Sequence, residues 1–182
     1  MRLVPTDLPE VHVVESPVYA DDRGFFTEVF RSTEFASMGL PTFYEQDNHS
    51  RSTLHTLRGL HFQLNRPQGK LIRVVSGKIF DVAVDIRRSS PRFGKWVGVT
   101  LEAGDGRQLW IPAGFAHGFV VLSDVADVSY KCTTAYDAGS DRAISCNDPQ
   151  IGIEWPLPVG IQARMSAKDI AAPMLAVAEV FP

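Results

Sequence analysis

The stretch Lys70-Leu71-Ile72-Arg73-Val74-Val75-Ser76-Gly77-Lys78-Ile79-Phe80-Asp81-Val82-Ala83-Val84-Asp85-Ile86 decides the fold. Two runs of strong β-formers flank Ser76-Gly77. In the second run Phe80, Val82, Val84 and Ile86 fall on one face, and Asp81 and Asp85 on the other. That period of two is the signature of a strand. A two-residue Ser-Gly link between such runs predicts a hairpin. Outward from it, strands are expected over residues 11–18 (interrupted at Pro17), 25–30, 95–101, 108–112, 117–122 and 128–134. Residues 46–53 read as a loop or an edge strand. Asp21-Asp22-Arg23-Gly24 and Gly104-Asp105-Gly106 mark turns. Helices are marginal. One is expected over residues 32–38, capped by Ser32 or Thr33 and ended at Gly39. A second follows the capping box Ser166-Ala167-Lys168-Asp169 and is stopped by Pro173. Many short strands with frequent turns predict an all-β antiparallel sandwich or barrel, formed by residues 1–182 as a single domain.

Composition narrows the function classes. The chain has 182 residues, of which 45% are hydrophobic, so it can bury a real core. A formal net charge of -3 argues against a nucleic-acid partner, which would call for a basic surplus. No apolar run is long enough for a membrane span. The N-terminal sequence lacks the apolar core of a secretory signal, so a cytoplasmic location is expected. Cys132 and Cys146 stand in no metal-ligand spacing and read as reduced thiols packed in the interior.

Chemistry is concentrated in Arg58-Gly59-Leu60-His61-Phe62-Gln63. Strand alternation would set Arg58, Leu60 and Phe62 on one face and Gly59, His61 and Gln63 on the other. His61 is the one side chain here that titrates near neutral pH without special tuning. A lone histidine is more often a hydrogen-bonded core residue. With Arg58, Gln63, Gln68 and Lys70 close by, the polar density on a strand-forming segment points instead to a polar ligand in a pocket. Gly106-x5-Pro112-x-Gly114-x2-His117 is similar to the second half of the cupin signature, in which Pro and Gly turn the chain so that the histidine points into a barrel. A metal cupin would add two histidines one residue apart and a carboxylate on the earlier hairpin. This sequence has His61-Phe62-Gln63 and then Pro67-Gln68-Gly69-Lys70, so no metal is expected.

The chain resembles the dTDP-4-dehydrorhamnose 3,5-epimerases, nucleotide-sugar enzymes of the cupin-like jelly-roll class. The resemblance is carried by Asp22-Arg23-Gly24-Phe25-Phe26-x-Glu28, Gln46-Asp47-Asn48-x-Ser50, Leu57 to Gln63, and Pro67-Gln68-Gly69-Lys70-Leu71. It continues through Gly77-x2-Phe80-Asp81-Val82-x-Val84-Asp85-x-Arg87, Ile111-Pro112-x-Gly114-Phe115-Ala116-His117, Tyr130-Lys131, Asn147-Asp148-Pro149 and Ser166-x-Lys168-Asp169. One departure stands out. Before the Asn-Asp-Pro turn the family has Glu-Arg-Gly-Ile, and this chain has Asp141-Arg142-Ala143-Ile144.

The resemblance implies epimerisation at carbons 3 and 5 of a dTDP-4-keto-6-deoxy sugar, with no cofactor. It implies His61 as base, Asp169 as its partner, Lys70 as the cation at the carbonyl oxygen and Tyr130 as the acid on the opposite face. Arg23 and Arg58 would meet the nucleotide diphosphate. Glu28, Gln46, Asn48, His117, Asp141 and Lys168 would be further substrate contacts. From the residues alone, Asp169 belongs equally well to the capping box, Tyr130 to a core and Lys70 to a solvated strand. The resemblance also implies a homodimer in which Arg23 and Glu28 serve the neighbour's site. Three other readings remain open here: a relative that epimerises one carbon or moves the ketone, a metal cupin, and a non-enzymatic sugar-nucleotide binder.

Overall fold

The computed structural model describes residues 1–182. Its first half holds β1 (Arg2–Pro5), β2 (His12–Glu15), β3 (Val18–Asp21), β4 (Gly24–Thr27), α1 (Ser32–Ser37), β5 (Gln46–Thr53), β6 (Leu57–Gln63) and β7 (Lys70–Ser76). The second half holds β8 (Lys78–Asp85), β9 (Trp96–Glu102), β10 (Arg107–Ile111), β11 (Phe115–Val121), β12 (Val125–Cys132), β13 (Asp141–Ala143) and α2 (Ala167–Ile170). One sheet has the order β1-β2-β10-β7-β12-β5, and the other β13-β6-β11-β8-β9. All their pairings are antiparallel. β3 and β4 form a separate two-stranded ribbon. This is the expected all-β, cupin-like jelly roll with a few short helices.

The expected hairpin across Ser76-Gly77 does not form. β7 pairs with β10 and β12 in one sheet, while β8 pairs with β9 and β11 in the other. Gly77 is therefore a corner at which the chain crosses between sheets. Its φ of 78° suits glycine, and an added Cβ would lie 2.1 Å from the Val125 carbonyl oxygen. Ser123 fastens the corner: its Oγ accepts from the Lys78 N–H at 2.8 Å and donates to the Val125 carbonyl at 2.8 Å. The Gly104-Asp105-Gly106 turn likewise carries the chain from β9 in one sheet to β10 in the other.

The period-two reading of β8 holds. Ile79 and Ala83 pack between the sheets with Ile72, Val74, Leu109, Phe115, Phe119 and Val128. Phe80, Val82, Val84 and Ile86 face outward, into a second apolar layer built with Ile144, Cys146, Ile151 and Leu175. The C-terminal segment thus covers the back of one sheet. α1 and the turn that follows it cover the back of the other, packing Phe35 and Leu40 on Val14, Leu71 and Trp110. Asp81 and Asp85 point to the interior and are fully buried, so each needs a polar partner there.

Several local expectations need adjustment. β1 pairs with β2, an additional strand where no strand is expected from the sequence. Pro17 divides residues 11–18 between β2 and β3, and β4 ends at Thr27. α1 starts after Arg31, which has no side-chain cap, so neither Ser32 nor Thr33 caps it. Residues 46–53 resolve to an edge strand, paired only with β12.

Candidate active site

A cavity of about 430 Å³ opens between the sheets, beside their edge strands β5 and β13. That size suits a small-molecule site. Gln46, Asn48, Arg58, His61, Lys70, His117, Tyr130, Asp141 and Lys168 all line it. The two sheets contribute different groups. β6 and β11 place His61 and His117 side by side as register partners. Facing them, β7 and β12 supply Lys70 and Tyr130.

Arg58 reaches the cavity although simple alternation set it opposite His61. The cause is a register irregularity: His61 pairs with His117, and Arg58 with Phe119. Three steps on β6 match two on β11, a bulge that turns Arg58 to the His61 face. Gly59 sits in the bulge at φ 140°, where an added Cβ would be 2.5 Å from the Gly118 Cα. Leu60 goes to the outer apolar layer. The Arg58 guanidinium has no carboxylate partner; its Nε donates to Ser52 Oγ at 2.9 Å.

His61 Nε2 lies 2.5 Å from Asp169 Oδ1. Asp169 is also inside the expected capping box, but only half of that box forms. Ser166 Oγ accepts from the Asp169 N–H at 3.1 Å, while the Asp169 carboxylate turns to His61 instead of back to the cap. The helix thus fixes the backbone of a residue whose side chain serves the cavity wall. With Nε2 occupied, Nδ1 is the nitrogen left for a ligand. Burial holds the His61 pKa below the ordinary histidine value, against the opposing pull of Asp169. Its neutral, proton-accepting form therefore dominates at neutral pH.

Lys70 is 8% exposed, not a solvated strand residue. Burial lowers its pKa, and its Nζ donates to the His61 carbonyl at 3.3 Å. Burial raises the pKa of the Tyr130 phenol, which therefore keeps its proton. Across the cavity, His117 Nε2 lies 2.5 Å from Asp81 Oδ1.

The amides are already ordered. Gln46 Nε2 donates to Asn48 Oδ1 at 2.8 Å, and Gln46 Oε1 accepts from the Tyr136 N–H at 2.7 Å. Asp141 bonds Lys168, and its Oδ2 accepts from the Tyr136 hydroxyl at 3.2 Å. This carboxylate, one methylene shorter than the family's, still joins β13 to α2 at the rim.

Arg23 and Glu28 are not brought to the cavity of their own chain. Arg23 lies in the exposed β3–β4 turn and pairs with Asp21, and Glu28 pairs with Arg31. Sequence reading missed Ser50, Phe119 and Tyr136 as cavity residues, and Asp81 as the partner of His117. For Asp81 a signal existed: a carboxylate on the inward face of a core strand requires a partner. Tyr136 lies in irregular backbone, where no period assigns a face.

Comparison with known proteins identifies the family. The sequence model of the family described as dTDP-4-dehydrorhamnose 3,5-epimerase matches residues 5–177. The dTDP-4-dehydrorhamnose 3,5-epimerase of Salmonella typhimurium is 51% identical over 180 residues, with 96% of each chain covered. The enzyme of that name from Neisseria gonorrhoeae is 49% identical over 98% of this chain, which spans 54% of that longer relative. The crystal structure of the Legionella pneumophila dTDP-6-deoxy-D-glucose-3,5-epimerase, in complex with dTDP-4-keto-L-rhamnose, superposes with a TM-score of 0.92 at 47% identity, over 97% of this chain and 93% of that one. With a family match over nearly its whole length, and relatives near half identical over 96–98% of this chain, the chain belongs to the dTDP-4-dehydrorhamnose 3,5-epimerase family.

Proposed function

We propose that this isomerase acts with His61 as base, Lys70 as oxyanion partner and Tyr130 as acid. The reaction is epimerisation at carbons 3 and 5 of dTDP-4-dehydro-6-deoxy-D-glucose, giving dTDP-4-dehydro-L-rhamnose. Both carbons flank the carbonyl at carbon 4, so one base on one face serves both. His61 removes the proton through Nδ1, and Asp169 holds the ring and stabilises the imidazolium. The enolate oxygen meets the Lys70 ammonium. A single such donor contributes about 3 kcal/mol. Tyr130 then returns a proton from the other side. The observation that carries this reading is the placement of His61 on one sheet and Tyr130 on the facing sheet, with Lys70 beside Tyr130. A sugar between the sheets presents opposite faces to base and acid, as inversion requires.

Arg58 is assigned to the diphosphate, since a guanidinium without a carboxylate partner suits phosphate. Gln46, Asn48, His117, Asp141 and Lys168 complete the substrate contacts. The reaction runs without metal or other cofactor. In support, Gln63 is fully engaged: its Nε2 donates to the Arg66 carbonyl at 2.8 Å, and its Oε1 accepts from the Asp137 N–H at 2.7 Å. Lys70 stands where a metal cupin carries a carboxylate, and no cluster of three or more His, Cys, Asp or Glu side chains is placed to hold a metal. The working unit is a homodimer, with Arg23 at the tip of the β3–β4 ribbon and Glu28 just after it reaching the partner's cavity. In support, Tyr19, Phe25 and Phe26 on that ribbon are 59–69% exposed.

The test is incubation of dTDP-4-keto-6-deoxyglucose in deuterated water, followed by NMR. Deuterium at carbons 3 and 5 with inversion at both is expected. Label at one carbon alone would reassign the chain to a single epimerisation.

A further inference from the structure

Asp81 touches no cavity space, yet it is the least satisfied charged group behind the cavity wall. Its side chain is fully buried. Oδ1 holds His117 Nε2, but Oδ2 is buried without any hydrogen-bond partner. A buried carboxylate with a spare oxygen is costly unless a cation is near. The cation available is Lys70, which points inward from β7 and forms no salt bridge; its Nζ has one bond, to a backbone carbonyl.

The other groups facing Lys70 are already committed or neutral. Asp169, from α2, is held by His61 of β6. Asp141, from β13, is held by Lys168 and Tyr136. Cys132 and Tyr130, on the neighbouring β12, both have their pKa raised by burial and stay protonated. Arg58 adds only positive charge. Of the carboxylates whose charge acts on Lys70, Asp81 is the one with an oxygen that is buried and has no hydrogen-bond partner.

We propose that Asp81 is a positioning residue of the reaction: one oxygen fixes the Nε2–H tautomer of His117, and the other supplies the counter-charge that keeps Lys70 an ammonium. This rests on the reading of Lys70 as the enolate's partner. The consequences are separable. Fixing Nε2–H leaves His117 Nδ1 as an acceptor for a sugar hydroxyl. Holding Lys70 protonated keeps the oxyanion site charged at working pH. Without Asp81, Lys70 would lose its proton at lower pH, because one of the charges that offset its burial, beside that of Asp141, is gone.

The experiment titrates Lys70 by NMR of ¹³C-lysine-labelled protein, its resonance identified by its absence in Lys70→Met. In Asp81→Asn the midpoint moves to lower pH, the alkaline limb of kcat/KM moves with it, and kcat falls ~10- to 100-fold, the size of a lost charge-assisted bond. In His117→Asn, where Asp81 remains, the Lys70 midpoint does not fall. A purely structural aspartate would lower the unfolding temperature and leave the Lys70 midpoint in place, and that result overturns the proposal. If Asp81→Asn does not fold, the parent decides: the Asp81 carboxyl ¹³C resonance shifts as Lys70 deprotonates, and the step vanishes in Lys70→Met. No such step, too, overturns it. The titrations need no substrate, so they stand apart from the reading beneath them. That reading fails separately if Lys70→Ala still exchanges deuterium into the sugar at the parental rate.

Discussion

His61 and Asp169, 108 residues apart in the chain, meet with Nε2 and Oδ1 2.5 Å apart at the wall of the cavity. The contact joins β6 to α2 and fixes which imidazole nitrogen faces the sugar. Base, orienting carboxylate and cap are thereby one unit, since the same Asp169 donates its N–H to Ser166.

Base and acid are separable by isotope. His61→Asn is expected to bind dTDP normally and to give neither product nor deuterium exchange. Tyr130→Phe keeps His61 and Lys70, so the enolate still forms and the imidazolium proton can swap with solvent and return to the same face. Deuterium should enter with retention at one carbon or both, while product formation falls much further than exchange. NMR in deuterated water reads both quantities. Parental product formation by Tyr130→Phe, or exchange by His61→Asn, would sink the assignment.

The pH profile of kcat/KM follows from the lowered pKa of His61. The active form is the neutral base, so activity rises with pH through the free-enzyme pKa. Burial lowers that pKa, so the acid limb should lie below the ordinary histidine value of about 6.5. Asp169 acts in the opposite sense. Asp169→Asn should therefore move the limb to still lower pH while reducing kcat, as the imidazolium loses its carboxylate. An acid limb at or above the ordinary value in the parent would contradict this cause.

Subunit complementation checks the ribbon. Arg23→Ala and His61→Asn should each be nearly inactive alone. Mixed and reassociated, a quarter of the sites should carry both defects and a quarter neither, if subunits pair at random and Arg23 serves the neighbouring cavity. Activity should then recover to roughly 25% of parental. No recovery, with mixed dimers confirmed by mass spectrometry, would return Arg23 to its own chain.

Chelation tests the absence of a metal. After exhaustive treatment with a strong chelator, the parent should keep full activity and hold less than 0.1 equivalent of Fe, Mn or Zn, as an order-of-magnitude criterion for a site not built for metal. Activity restored only by added metal would point to ligands outside the His61, Gln63 and His117 positions.

What the sequence determined by itself is local. Alternation over Ile79 to Ile86 assigned both faces of β8, because side chains on a strand alternate whatever it pairs with. The Ser166 cap was readable because it closes within three residues. The order of short motifs carried the family and, with it, the nine side chains now seen around one cavity. Tertiary structure alone decided which strands pair. Ser76-Gly77 looks like a hairpin turn, yet β7 and β8 lie in opposite sheets, because a short turn and a sheet-crossing corner make the same demand on local φ and ψ. The choice between them is made by distant partners, β10 and β12 on one side and β9 and β11 on the other. The bulge that swings Arg58 to the His61 face depends on the register with β11. The carboxylates given to His61 and His117 come from 108 and 36 residues away. Those pairings are set by closure of the barrel, which brings groups together by depth and burial rather than by spacing along the chain.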